Sequence, residues 1–512
     1  MLVKGFGAAV LGVDAIAVTV EAAVTTGVGF CIVGLPDTAV KESYERVKSA
    51  LVQSGFDFPR RSAVVNMSPA DIKKEGAAYD LPIAISILAA DEKISADQLP
   101  SYMMMGELSL DGTLLPIKGV LPMSILARQM GFKGFIVPKA NEKEAAVVNR
   151  LDVYGMETLR DVIDFLNHTR RFEPTVVNTR EEFASATGQF DFDFSEVKGQ
   201  ENVKRAFEVA CAGGHNILLV GSPGSGKSMM AKCLPSILPP LTLQEALETT
   251  KIHSVAGVLQ RGSTLMTQRP FRSPHHTVSP VALVGGGAHP MPGEISLAHN
   301  GVLFLDELPE FGRQVLEVMR QPLEDRRITI SRAKYTVEYP ASFMLVASMN
   351  PCPCGYYGHP SKPCICQPGA VQRYLNRISG PLLDRIDIQV EVAPVEFDDI
   401  SSDRPSENSA EIRERVVQAR EIQAARFANE HGVHCNAQMT SRLIREHCHL
   451  DSKSMVILRD HMTRFNMSAR AYDRIMKVAR TIADLAGSEN IEPIHLREAI
   501  AYRNLDRSTW GR

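Results

Sequence analysis

Eight consecutive residues constrain this chain more than any others: Gly221, Ser222, Pro223, Gly224, Ser225, Gly226, Lys227 and Ser228 spell a complete G-x-x-x-x-G-K-[ST] loop. The preceding Asn-Ile-Leu-Leu-Val has the make-up of a buried strand, and Met229 to Leu234 fits the helix that should follow. Strand, glycine-rich turn and helix in that order predict a parallel α/β sheet. Glycines let successive backbone N–H groups wrap phosphates, the lysine reaches the β/γ oxygens and the Ser228 hydroxyl ligates Mg²⁺. The loop therefore predicts binding of a nucleoside triphosphate.

Such chemistry also needs carboxylates, and Val302-Leu-Phe-Leu-Asp-Glu307 supplies them at the end of an uninterrupted apolar run. That is the pattern of a strand buried on both faces, with its acids at the carboxyl edge where ligands bind. Asp306 is assigned to Mg²⁺ and Glu307 to the attacking water. A third strand, Phe343 to Ser348, leads to Asn350, placed to orient that water or sense the γ-phosphate. Arg385 lies beside Asp384 and Asp387, and Arg470 opens a later helix. The two arginines are candidates for a transition-state finger and a lid sensor. Pairing of Arg385 with its acidic neighbours, and an ordinary helix-start role for Arg470, stay open.

This ordered set resembles the AAA+ ATPases, and within them the magnesium-chelatase-like branch. Pro274-His-His-Thr277, Gly285-Gly-Gly287, Pro292 to Gly301 and Asn350 to Gly358 resemble the ComM/YifB family, and the likeness runs over essentially the whole chain. The resemblance implies ATP hydrolysis with Mg²⁺, a homo-hexameric ring and, from the ComM members, a branch-migration helicase acting in recombination and natural transformation. It also implies that Arg385 reaches the neighbouring subunit's nucleotide and that Arg470 acts in cis.

Composition sets weaker limits. A chain of 512 residues predicts about three domains. The formal charge of −3 gives no overall basic field for nucleic acid, although a ring needs only a basic strip along its pore. Nine cysteines in no secreted-type framework fit a reducing cytoplasm. No segment reaches the ~20 apolar residues of a membrane span, so no membrane partner is expected.

The first domain is read as residues 1–170. Strands are expected over Ala15–Glu21 and Gly29–Gly34, and a helix over Ala39–Ser54. The stretch Met105 to Gly119, with helix Leu121–Met130 and strand Phe135–Lys139, resembles the proteolytic domain of Lon proteases. Tyr79 or Asp80 stands where that family's serine should lie, and Leu121 where its lysine should lie. The domain is therefore expected to be proteolytically inactive; Ser68 and Lys118 are the residues of the right types for a relocated dyad. Residues 171–193 read as a polar linker, 194–394 as the ATPase core, and 395–512 as a helical lid whose clearest helix is Ala471–Leu485. The expected architecture is thus an α/β chain: a Lon-like α+β domain, a central parallel sheet with insertions, and helices.

Roughly 70 residues separate the phosphate loop from the Asp-Glu strand, more than a βαβ unit needs. The excess includes Phe271–Pro292, whose Gly, Pro and His content predicts exposed loops able to line a pore. His275 and His276 are read as polar loop residues without chemistry. The segment Arg326–Tyr339 alternates like a hairpin; Arg326, Arg327, Arg332 and Lys334 are candidates to grip phosphates and Tyr335 to stack on a base. An ordinary solvated hairpin is the competing reading.

In the loop 350–368, Cys352, Cys354, Cys364 and Cys366 form C-x-C-x₉-C-x-C. Four thiolates so close favour a structural Zn²⁺, with a redox pair or four unliganded thiols as the other readings. Cys435, Cys448, His434, His447 and His449 are read as lid surface or core. The whole points to an ATP-driven DNA motor, with recombination proteins as further partners. The alternatives are a chelatase subunit and an ATP-dependent protein-remodelling module.

Overall fold

The computed structural model describes residues 1–179, 183, 190–259, 264–287, 290–331, 336–394, 406–465 and 467–503. The N-terminal unit is a seven-stranded sheet. Leu2–Leu11 and Asp14–Thr25 form a long antiparallel pair, extended by Ser62–Ser68 and, in parallel, by Phe30–Val33. On the other side Tyr102–Met104, Gly134–Pro138 and Asp152–Met156 add parallel strands. Alternation along Asp14–Thr25 puts Val18, Val20, Ala22 and Val24 into the core, the period expected of a strand with one wet face. The helix expected over Ala39–Ser54 is interrupted at Glu42 and occupies Thr38–Lys41 and Ser43–Gln53.

The second sheet has five parallel strands in the order Phe271–Arg272, Val302–Leu305, Met344–Met349, Ile217–Gly221 and Ile388–Val392. All four residues of Val302–Leu305 and all six of Met344–Met349 are buried, which explains why both read as unbroken apolar runs. On one face, helices Glu201–Gly213 and Lys227–Ile237 share a core with the C-terminal helices Ser409–Arg426, Ala469–Leu485 and Pro493–Ala501. On the other, the Arg327–Ser331/Thr336–Pro340 hairpin and the cysteine loop pack over Leu303, Leu305 and Leu345.

Between the phosphate-loop helix and the Asp-Glu strand lies a 14-residue helix, Leu243–Ala256, capped by a reciprocal Thr242/Glu245 pair. It joins the two sheets. The Gly119 amide donates to Ser254 O at 3.1 Å, the Ser254 hydroxyl donates to Glu144 Oε1 at 2.5 Å, and Lys251 pairs with Asp14 at 2.9 Å. Part of the excess length is therefore a docking element. The described residues of Phe271–Pro292 also carry more than loops: they hold a short strand, helix Pro280–Val284 and a Gly285–Gly286/Met291–Pro292 ladder. Among the described residues no helix is long and apolar enough to cross a membrane.

Candidate active site

Three neighbouring parallel strands deliver their carboxyl ends to one edge, so the phosphate loop after Val220, Asp306 and Glu307 after Leu305, and Asn350 after Met349 converge. The loop passes into its helix at Gly226, whose φ of 86° a side chain would disfavour. Lys227 Nζ, 8% exposed, donates to the carbonyls of Gly221 and Ser222, both at 2.8 Å, and lies 3.3 Å from Asn350 Oδ1. Burial pushes its ammonium below the usual range, against the pull of the Asp306 and Glu307 carboxylates.

Ser228 Oγ donates to Asp306 Oδ2 at 2.5 Å. The Ser348 hydroxyl donates to the other oxygen, Oδ1, which also accepts the Glu307 amide at 3.1 Å. A hydroxyl facing a carboxylate beside a phosphate loop is a donor set suited to Mg²⁺, which would be held by Ser228 and Asp306 and would neutralise phosphate charge. Ser348 is a supporting residue that the sequence reading missed; its only signal was a hydroxyl in an otherwise apolar strand. Glu307 has a left-handed φ of 55°, which turns its carboxylate outward to 57% exposure and 3.7 Å from His276 Nδ1.

Arg385 is buried: Nη2 pairs with Glu324 Oε1 at 2.5 Å and Nη1 donates to Pro381 O at 2.6 Å. Its partner is thus neither Asp384 nor Asp387. Arg470 lies exposed at the start of Ala469–Leu485, and Arg385, Arg470 and Arg474 together hold the Glu324 carboxyl below its usual range. Asp387 is instead ion-paired to Arg474, accepts the Asn216 amide at 3.0 Å and lies 3.5 Å from the buried His215 ring. Arg474 had no sequence signal beyond its place four residues after Arg470.

Among the DNA-contact candidates, Arg326 precedes the hairpin and caps helix Arg320–Asp325 in a left-handed conformation, half-buried, with its basicity lowered by that burial. That is not the exposed hairpin position expected of it. Arg327 is exposed and pairs with Glu338 at 3.0 Å. Arg332, Lys334 and Tyr335 lie outside the described residues.

The four loop cysteines are gathered so that all Sγ atoms lie within 4.8 Å of one another, with Cys352–Cys354 at 3.3 Å, Cys354–Cys364 at 3.5 Å and Cys352–Cys364 at 3.8 Å. A tetrahedron of thiolates ~2.3 Å from a metal has edges of about 3.8 Å, so the set fits a Cys₄ ion. The loop also touches the phosphate loop. Gly355, at φ 84°, approaches Pro223 so closely that an added Cβ would sit 2.4 Å from Pro223 Cδ. Cys435 and Cys448 are buried beside the C-terminal helices and are not part of this cluster.

In the N-terminal unit, Asp80 and Tyr79 are buried. Arg46 holds Asp80 through Nε at 2.6 Å and Nη2 at 3.0 Å, and burial raises the carboxyl to about 6. Leu121 is buried, while the Lys118 side chain lies across Gly257.

The comparisons agree with this architecture. The family model described as "Magnesium chelatase, subunit ChlI" matches residues 193–400, "Subunit ChlI of Mg-chelatase" matches 20–141, and "Magnesium chelatase, subunit ChlI C-terminal" matches 406–503. Competence protein ComM of Haemophilus influenzae is 44% identical over 508 residues, covering 98% of this chain and 97% of that protein. The uncharacterized protein YifB of Escherichia coli K12 is 44% identical over 506 residues, covering 98% and 96%. An archaeal Lon protease of Thermococcus kodakarensis is 30% identical over 129 residues, 24% of this chain and 20% of that protein. Fold and site define a magnesium-chelatase-like AAA+ protein with a Lon-like N-terminal region. The chain belongs to the ComM/YifB family.

Proposed function

We propose that this protein is an ATP-driven DNA motor that works as a homo-hexameric ring in the cytoplasm and migrates branched DNA during recombination and natural transformation. The observation that carries the reading is the convergence of the phosphate loop, Asp306, Glu307 and Asn350 at one sheet edge, in a chain similar along 98% of its length to a protein named for competence. Residues Gly221–Ser228 would hold ATP, Ser228 and Asp306 would hold the Mg²⁺ that neutralises phosphate charge, Glu307 would activate the water and Asn350 would orient it. Arg385 serves the neighbouring subunit's nucleotide and Arg470 its own. For Arg385 this requires subunit contact to draw the guanidinium away from Glu324. Cys352, Cys354, Cys364 and Cys366 would hold a structural Zn²⁺, which would brace the loop that follows Asn350.

Steady-state ATP hydrolysis without DNA, with single strands, with duplex and with a four-way junction tests the motor. Stimulation by DNA that an Arg332→Ala/Lys334→Ala variant loses is the expected result; equal rates throughout would overturn it. The family descriptions favour a second reading, ATP-driven insertion of Mg²⁺ into a tetrapyrrole. Its mark would be hydrolysis that depends on porphyrin and a large partner subunit and ignores DNA.

A further inference from the structure

Asn350 lies one residue past the strand that delivers it, since the ladder between Met344–Met349 and Ile217–Gly221 ends at the Val220–Met349 pair. The chain then runs through the cysteine loop and returns as helix Ala370–Leu375. Val371, Tyr374 and Leu375 of that helix are buried in one core with Val220, Leu305 and Met349, the residues that immediately precede the phosphate loop, Asp306 and Asn350. The helix is thus packed under the edge where the site forms. Tyr374 is 7% exposed, and its hydroxyl oxygen receives the Asn350 backbone N–H. Burial pushes the phenol up to about 12, so it keeps its proton at neutral pH.

The ring is itself held. Arg377 lies over it, with the guanidinium carbon 5.9 Å from the ring centroid, and the Arg377 amide donates to Tyr374 O at 3.2 Å. The same guanidinium reaches the other catalytic turn: Nη1 donates to Glu310 Oε2 at 2.8 Å and to Pro309 O at 3.4 Å. That turn begins at the candidate base, because the Glu310 amide donates to Glu307 O at 2.8 Å. Tyr374 therefore stands between the turn of Asn350 and the turn of Glu307. Asn350 Oδ1 lies 3.3 Å from Lys227 Nζ, the ammonium that meets the β/γ oxygens. The planar peptide that carries the Asn350 N–H also carries its Cα, so a hydrogen bond on that N–H sets the direction in which the carboxamide leaves the chain.

We propose that Tyr374 is a positioning residue for ATP hydrolysis: by accepting the Asn350 N–H it fixes the turn after Met349 and keeps the Asn350 carboxamide aimed beside Lys227. This rests on the reading of Asn350 as the residue that orients the attacking water. Tyr374 touches neither nucleotide nor water and adds no chemical step. Its contribution is one buried hydrogen bond, which sets the size of the effect.

The test is ATP turnover and thermal unfolding of the full chain in wild type, Tyr374→Phe, Asn350→Ala and the double variant. Phenylalanine keeps the ring under Arg377 and in the core, and removes the acceptor alone. The proposal expects kcat to fall about three- to tenfold in Tyr374→Phe, with KM for ATP and Tm unchanged. In the Asn350→Ala background the same substitution should cost nothing further, because the residue it positions is already gone. A side chain that only packs would instead lower Tm, or would slow both backgrounds by the same factor, and either result would overturn the proposal. So would an unchanged kcat in Tyr374→Phe beside a slowed Asn350→Ala, which would leave the role of Asn350 standing. Full turnover in Asn350→Ala would remove that role and the proposal with it.

Discussion

Ser228 and Asp306, 78 residues apart, face each other with the serine Oγ donating to Asp306 Oδ2 at 2.5 Å. The strand order places them there: the two strands they follow flank Met344–Met349, and all three run in parallel. Asp306 is oriented from its other side by Ser348. Replacing Ser348 with alanine is expected to leave folding intact while lowering Mg²⁺ affinity or turnover by about 10- to 100-fold. A MgCl₂ titration of ATP hydrolysis reads this. An unchanged midpoint and an unchanged plateau would show that Asp306 needs no such support.

The cysteine loop leads to a second expectation, because it joins Asn350 on one side and touches Pro223 through Gly355 on the other. Cys364→Ala/Cys366→Ala should lose one equivalent of zinc by elemental analysis and, with it, most ATP turnover. Metal content equal to wild type would remove zinc from the account. Gly355→Val separates the two effects: it places a branched side chain against the phosphate loop at a φ of 84°, so it should raise KM for ATP while zinc content stays the same.

Much of this site was legible because its signals are local. The phosphate loop, the apolar run ending at Asp306 and the spacing of the four cysteines are each contained in fewer than twenty residues, and the structure brings them to one edge. Signals that depend on distant partners were not legible. Nothing near Arg385 in sequence identifies Glu324 as its partner, and Arg474 reaches Asp387 across 87 residues. Helix Asp80–Ala90 escaped because all eleven of its residues are buried, which removes the amphipathic period that marks a surface helix. Arg326 was misplaced by its neighbours: the alternation begins one residue later, and Arg326 itself terminates a helix. The docking helix Leu243–Ala256 read as surplus length because its partner, the N-terminal sheet, lies far away in the chain.

The Asp387–Arg474 pair ties the C-terminal helices to the sheet, and its electrostatics give a pH signature. Burial alone would push the Asp387 carboxyl up; Arg474 and His215 outweigh it and hold the group far below the usual carboxylate range. A depressed folded value means that the stability it contributes is fully present above the unfolded value of about 3.9 and is lost as pH falls below that. Arg474→Ala leaves a buried carboxylate without its charge partner, a loss of about 3–5 kcal/mol at pH 7. The variant's Asp387 can escape by protonation in mild acid, so the Tm gap to wild type should narrow between pH 7 and pH 4. A gap constant over that range would mean that Arg474 acts by packing alone.

The N-terminal unit is expected to cleave nothing. Asp80 is committed to Arg46, Leu121 is apolar, and Lys118 lies over Gly257 of the ATPase. Fluorogenic peptides and unfolded casein should survive incubation with the protein, ATP and Mg²⁺. Cleavage abolished by both Ser68→Ala and Lys118→Ala would restore a relocated dyad.

What this unit does instead is read from Glu144. Its carboxylate accepts the Leu121 amide at 3.1 Å, the Asn141 side-chain amide at 3.2 Å and the Ser254 hydroxyl of the docking helix at 2.5 Å. Glu144→Ala strands the Leu121 N–H and the Ser254 hydroxyl together, at a cost of about 1–3 kcal/mol for each group that stays buried without a partner. Ser254→Ala removes one bond and leaves the carboxylate its other two donors, a loss of about 1 kcal/mol. If Glu144 couples the two sheets, the double variant should cost measurably less than the sum of the singles, and both singles should speed proteolysis of the docking helix. Strict additivity in thermal unfolding, with an unchanged digestion pattern, would reduce the contact to coincidence and leave Lys251–Asp14, the Gly119 amide on Ser254 O and the Lys118 packing to hold the interface.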